Sequence, residues 1–121
     1  MKTMITCLLL LAGTANAATL FPQVCTYNSP TAGNCQNVQN DAGLNITYLV
    51  FNGAESVLLI DNVYYTGPAF SGGFANAAFV SDTGEAVYLT AVITYHSKFV
   101  NMGRARYYRH WWTLDSGTLD G

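Results

Sequence analysis

The chain has 121 residues, of which 50% are hydrophobic and 10% charged, and its net charge is −2. That length suits one domain and is too short for two. A small negative net charge argues against electrostatic attraction to nucleic acid, so we expect no nucleic-acid partner.

The first 17 residues have the features of a secretory signal peptide. Met1-Lys2 is a short positive start, residues 5–12 are an apolar run, and Ala15-Asn16-Ala17 matches an A-x-A cleavage site. The run is shorter than the roughly 20 residues that span a bilayer. We therefore expect cleavage after Ala17, no membrane span, and a secreted or periplasmic domain of residues 18–121. Without Lys2, that domain carries four basic and seven acidic side chains.

Cys25 and Cys35 are the cysteines of the mature chain. An even number of cysteines in an exported protein predicts a disulfide. Closing so short a loop stabilises the fold by about 3 kcal/mol. Their spacing is not C-x-x-C and no histidine lies nearby, so we do not expect a redox or metal pair.

The first half of the chain alternates strand and turn signals. Residues 19–27 read as a first strand, placed at an edge because Pro22 lacks an N–H. Residues 28–43 are polar and predict a loop tethered by the disulfide. Residues 44–51 and 55–65 predict a pair of strands joined at Asn52-Gly53, a strong hairpin signal. Within the second of these strands, Asp61-Asn62 predicts a bulge or bend.

The second half predicts a glycine-rich loop over residues 66–76, a short strand over 77–81 and a turn over 82–85. A long hairpin follows over residues 86–114, and then a polar tail over 115–121. With no helical periodicity, this pattern predicts an all-β fold of about six strands. We expect a single antiparallel β-sandwich of the immunoglobulin-like or jelly-roll type, or a small barrel.

Chemistry is concentrated in the 86–114 hairpin, which holds every cation of the mature chain and all the histidines and tryptophans. On its first strand, alternation predicts a core face and a half-exposed outer face. The core face comprises Val87, Leu89, Ala91, Ile93, Tyr95 and Phe99.

The return strand has two registers. A three-residue loop at 101–103 would place Val100 opposite Arg104, with Trp112 outside and Trp111 inside. A two-residue loop would shift the pairing by one and reverse both indoles, because a one-residue slip exchanges the faces. We favour the first register, since Gly103 suits a left-handed bulge position and only one cation would then point inward.

The outer face combines aromatic rings with hydrogen-bond donors, which is how proteins hold sugar rings and flat apolar surfaces. We therefore predict a non-catalytic binding module that contacts a glycan or envelope-surface polymer. The alternative is a self-assembling subunit of an extracellular filament or matrix, polymerising through strand edges and the same hairpin. The predicted ligand-binding residues are Thr94, His96, Lys98, Arg106, Tyr108, His110, Trp111 and Trp112.

Catalytic patterns are missing from the sequence. A glycosidase needs two facing carboxylates, and no spacing of the acidic residues predicts such a pair. None of the hydrolase or phosphate-binding motifs occurs. His96 and His110 would need a third ligand to hold a metal. The sequence thus predicts no enzyme activity, cofactor or metal.

Overall fold

The computed structural model describes residues 17–121, in which every regular element is a β-strand. The predicted signal peptide lies outside the described residues except for Ala17. Within residues 17–121, no helix long and apolar enough to cross a membrane is found. The strands are β1 Ala18–Leu20, β2 Gln23–Ser29, β3 Ala32–Val38, β4 Ile46–Phe51, β5 Ser56–Ile60, β6 Val63–Gly67, β7 Gly73–Ser81, β8 Ala86–Met102 and β9 Ala105–Asp120.

These strands form one antiparallel sheet that closes on itself. From β2 onward, each strand pairs with the next along the chain, and β9 also pairs with β1 and β2. The all-β class and the antiparallel pairing are confirmed, whereas the prediction of about six strands is wrong, since residues 17–121 form nine strands in one closed sheet and not a sandwich. Because β9 pairs with β8 on one edge and with β2 on the other, the sheet closes and its inward face encloses one core.

The core fills the inside of this closed sheet. Phe51 and Trp112 are fully buried and meet edge to face, with ring centroids 5.0 Å apart. The Trp112 indole N–H donates to the Ser29 carbonyl at 3.1 Å, which satisfies its one polar atom. Gly33 lies against both rings, since a Cβ at that position would stand 2.5 Å from a Phe51 ring carbon.

The predicted strand over residues 55–65 is two strands. Asp61 and Asn62 have φ angles of 50° and 65°, and the flanking Ile60 and Val63 are paired. Two successive left-handed residues are the mark of a type I′ hairpin turn, to which Asp and Asn are suited. The predicted bend is thus a full reversal of the chain.

The predicted hairpin at Asn52-Gly53 is confirmed, with β4 and β5 paired from Phe51 and Ser56 onward. Its loop spans four residues, 52–55. The Asn52 side-chain oxygen accepts hydrogen bonds from the backbone N–H groups of Ala54 and Glu55, at 2.7 and 3.0 Å. This local capping holds the loop without a glycine in the left-handed region.

Residues 28–43 are not the loop that the sequence predicts, because the end of β2 and the whole of β3 together occupy more than half of them. The disulfide between Cys25 and Cys35 is confirmed and joins neighbouring strands, next to the pair formed by Thr26 and Asn34. Both sulfurs belong to the buried core. Burial alternates along β3, but most of its residues are small or polar. The strand therefore leaves no apolar periodicity in the sequence by which it could be predicted.

Two further segments predicted as irregular also belong to strands. The glycine-rich stretch enters β7 at Gly73, and the polar tail extends β9 as far as Asp120. Leu119 is 2% exposed and pairs with Ala18 on one side and Leu89 on the other. This end of β9 therefore completes the closure of the sheet.

Candidate binding arm

A two-stranded arm projects from the closed sheet. β7 pairs with β8 only as far as Ile93, and β2 pairs with β9 only over Trp112 to Leu114. Residues 94–111, named the arm here, therefore pair only within the hairpin that β8 and β9 form. At about 3.3 Å per residue, the arm extends roughly 26 Å beyond the sheet.

The arm turns at Gly103-Arg104, between the paired residues Met102 and Ala105. Gly103 has a φ of 68° and Arg104 does not have a positive φ, which are the signs that a type II′ turn requires. The favoured three-residue loop is therefore wrong, and the two-residue alternative has the correct arrangement of faces. The first central position of this turn selects glycine, so Gly103 occupies it without strain.

The core determines which indole faces outward. Trp112 is fully buried against Phe51, so its strand neighbour Trp111 lies on the outer face, where it is partly exposed. Of the predicted site residues, four share this outer face: Thr94, His96, Lys98 and Trp111. Arg106, Tyr108 and His110 lie on the opposite face, named the inner face, and Trp112 is inaccessible.

The outer face is anchored at the root of the arm by a hydrogen-bonded chain. The Thr113 hydroxyl donates to one Asp115 carboxylate oxygen at 2.7 Å, and the Thr94 hydroxyl donates to the other. His96 Nε2 lies 2.7 Å from the Thr113 oxygen. The single hydroxyl proton of Thr113 points to Asp115, so the Thr113 oxygen accepts in its contact with His96. His96 Nε2 is therefore the donor in that hydrogen bond.

Asp115 reaches this position through a bulge. Val92 pairs with Ser116 and Ile93 with Leu114, so Asp115 is an extra residue on β9. The bulge also shifts the inward-facing positions from even numbers before it to odd numbers after it. Strict alternation read from the sequence does not anticipate such a shift.

Above the root, aromatic and cationic side chains stack on one another. The His96 and Trp111 rings are nearly parallel, at 8°, with centroids 5.0 Å apart. The Arg109 guanidinium carbon lies 5.2 Å from the Trp111 ring centroid, within the range of a cation–π contact. Lys98 lies directly across the arm from Arg109, and Tyr107, 50% exposed, lies opposite Val100.

The inner face carries a second row of aromatic rings. His110 stacks on Tyr27 of β2, with centroids 5.1 Å apart, and its Nδ1 atom lies 2.5 Å from the Tyr95 hydroxyl. Further out, Tyr108 packs edge to face on Phe99, with centroids 5.3 Å apart. Tyr108 is 62% and Phe99 49% exposed. The predicted core position of Phe99 is thus wrong, because the arm leaves the core before that residue.

The arm has cations but no anions. Lys98, Arg104, Arg106 and Arg109 all lie on it, and residues 94–111 contain neither Asp nor Glu. The ligand-binding residues predicted from the sequence did not include Arg109, and Tyr27 was not predicted to neighbour the hairpin. No local signal links Tyr27 to the arm, because that contact spans 83 positions of the chain from Tyr27 to His110.

Among residues 17–121, no group of three His, Cys, Asp or Glu side chains is placed to hold a metal ion. Comparisons of the chain with protein-family models, with curated proteins and with solved structures found no significant match.

Proposed function

We propose that this protein is a secreted or periplasmic, non-catalytic binding module whose arm holds an acidic glycan of the cell envelope or its surroundings. Binding takes place on the outer face, centred on Lys98, Arg109 and Trp111. A disulfide in the core agrees with an oxidising compartment outside the cytoplasm.

The observation that carries the proposal is the direct pairing of Lys98 with Arg109 across the arm. Like charges opposite each other on two strands are destabilising. An isolated two-stranded ribbon is itself only marginally stable in water. An arm with this unfavourable pair and no carboxylate of its own gains stability from an anionic ligand that lies between the two cations.

The stack on Trp111 prepares Arg109 for such a ligand. A guanidinium held against an indole keeps its plane defined, so its fork of N–H donors needs less ordering when it meets a carboxylate. Hydrogen bonds that run from Asp115 through Thr113 hold the ring of His96, which is the second group stacked on Trp111. Because Arg109 and His96 are already oriented before a ligand arrives, binding costs less conformational entropy.

The shape of the arm favours a polymer over a small molecule. Small-molecule sites are concave and enclose most of the ligand, whereas residues 101–109 at the outer part of the arm are all exposed. A long ligand that lies along the arm meets several weak contacts in sequence. Saccharide rings suit this surface because their apolar faces pack on exposed aromatic rings such as Tyr107.

Binding to immobilised polygalacturonate, a linear carboxylated polysaccharide, tests the proposal by biolayer interferometry. We expect binding that weakens with salt and that does not occur on neutral dextran. Replacing both Lys98 and Arg109 with Gln should weaken binding roughly tenfold, since about 0.7 kcal/mol per contact is typical of exposed ion pairs.

A matched control places the same charge change on the closed sheet. Gln36→Glu with Asn76→Asp also lowers the net charge by two, by adding two carboxylates at exposed positions away from the arm. This control should bind within about twofold of the wild type. Equal losses in both variants, equal binding to dextran, or preferential binding to oligothymidylate would each overturn the proposal, the last in favour of single-stranded nucleic acid.

A further inference from the structure

The two ends of the molecule have opposite charge. The arm carries all four cations of residues 17–121, whereas five of the seven acidic side chains of the protein lie at the other end of the closed sheet, named the far end here. The turns that connect β3 to β4, β5 to β6 and β7 to β8 meet there, beside the last residues of β9. The acidic residues of the far end are Asp41, Asp61, Asp82, Glu85 and Asp120.

A pocket of about 290 Å³ opens at the far end. Its apolar walls include Leu44, Val87 and Leu119, and Asp61 and Glu85 line it with exposed carboxylates. Partial burial, followed by the charges of Glu85 and Asp61, raises the pKa of Tyr65, another lining residue. Both carboxylates therefore lie close enough to Tyr65 for their charges to affect its hydroxyl.

The tip of the arm has the complementary composition. Met102 is 69% exposed and places a large apolar side chain at the end of the arm. Arg104 is exposed two residues further on, and Gly103 between them has no side chain to hinder approach. One apolar and one cationic group thus project together from the narrowest part of the molecule.

We propose that the arm tip of one copy docks into the far-end pocket of a second copy of this chain. Met102 enters the apolar interior of the pocket, and Arg104 pairs with Asp61 and Glu85 at its rim. This inference goes beyond glycan binding and does not depend on it.

Charge also decides how two copies are arranged. Pairing arm to arm through their free strand edges would bring together the cations of both arms, which is unfavourable without a bound anion. Docking of tip to far end instead joins opposite charges and uses a different surface on each copy. Such a heterologous contact leaves one free tip and one free pocket, so it propagates into an open chain unless the rotation closes a ring.

The outer face around Lys98 remains accessible in such a chain, since it lies four residues from Met102 along β8. Each copy would then present one glycan-binding face. Repetition along the chain raises the effective affinity for a long polymer, because the second contact is intramolecular.

Sedimentation velocity of the purified protein without any polymer tests this inference. At low ionic strength we expect species larger than a dimer to accumulate as concentration rises, and to dissociate in high salt. Arg104→Glu and Glu85→Arg should each weaken association roughly tenfold or more, because each places like charges in contact. Mixed in equal amounts, the two variants should associate again, since every tip then meets a pocket of opposite charge.

Recovery in the mixture also shows that both variants are folded. A wild type that stays monomeric at low salt would overturn the inference, as would an oligomer that survives Arg104→Glu or a mixture that does not recover. Failure here is distinct from failure of glycan binding, because the Lys98→Gln, Arg109→Gln variant should still associate. Polygalacturonate binding by monomeric Glu85→Arg, whose arm is unchanged, should in turn persist.

Discussion

Replacement of the two adjacent tryptophans should affect stability very unequally. Trp112 is fully buried, packs on Phe51 and Tyr95 with centroids 5.0 and 5.1 Å away, and donates a hydrogen bond to Ser29. Trp112→Ala removes all of these contacts and leaves a cavity, so it should cost about 3–5 kcal/mol of the free energy of unfolding. That is a large share of the roughly 5–15 kcal/mol typical of a domain.

Trp111→Ala should cost much less. Trp111 is partly exposed and contacts His96 by stacking and Arg109 through a cation–π interaction. Such contacts are worth about 1–2 kcal/mol together, and solvent reduces the charged part. The expected difference between the two alanine variants is therefore about 1–4 kcal/mol, the lower bound being the smaller cavity cost less the larger contribution of the surface contacts.

Urea unfolding followed by circular dichroism measures both values, provided that the slopes show a two-state transition. A second readout uses phenylalanine variants, which keep one indole each. Iodide should quench the fluorescence of Trp111 in Trp112→Phe and should leave Trp112 in Trp111→Phe protected. If Trp111→Ala were the more destabilising change, or if iodide reached Trp112 more readily, the arrangement of faces on the arm would be refuted.

Three other predictions test the fold. Replacing Cys25 and Cys35 together with Ser should lower the free energy of unfolding by about 3 kcal/mol, and a wild-type urea midpoint would contradict this. Gly33→Ala should cost about 1–3 kcal/mol by overpacking two core rings; an unchanged melting temperature would count against that packing. The pKa of Tyr48 is raised because its hydroxyl donates to Tyr64 at 3.0 Å, with smaller contributions from burial and the charge of Tyr64. Tyr64→Phe should therefore lower the pKa of Tyr48, as followed by NMR of the ring Cζ carbon, and an unmoved titration would exclude that bond.

Local sequence signals predicted turns better than they predicted strand lengths. The 82–85 turn is present, with the Ser81 N–H donating to the Glu85 carbonyl at 2.8 Å. Asp61-Asn62 marks a real interruption, although its two left-handed residues reverse the chain instead of bending it. β3 and the end of β9 were missed because their inward positions include Gly33, Cys35 and Gly117, which are not strongly apolar. Their burial depends on partners far away in the chain.

The hairpin shows the same limit at the candidate site. Both registers place alternating aromatic and basic residues on each face, so the return strand contains no local preference for one of them. The structure selects one because Trp112 fits between Phe51 and Gly33 and reaches the Ser29 carbonyl. Ser29, Gly33 and Phe51 lie on β2, β3 and β4, respectively, and not on the hairpin.

The sequence by itself determined the all-β class, the disulfide between Cys25 and Cys35, and the gathering of cations and indoles on residues 86–114. Those are properties of composition, spacing and short-range alternation, which exist in the chain before it folds. Only the tertiary structure decided that the sheet closes, that Trp111 faces outward, and that the acidic residues gather opposite the arm. Each of these depends on which distant strands become neighbours, and that choice is made by packing of the whole core.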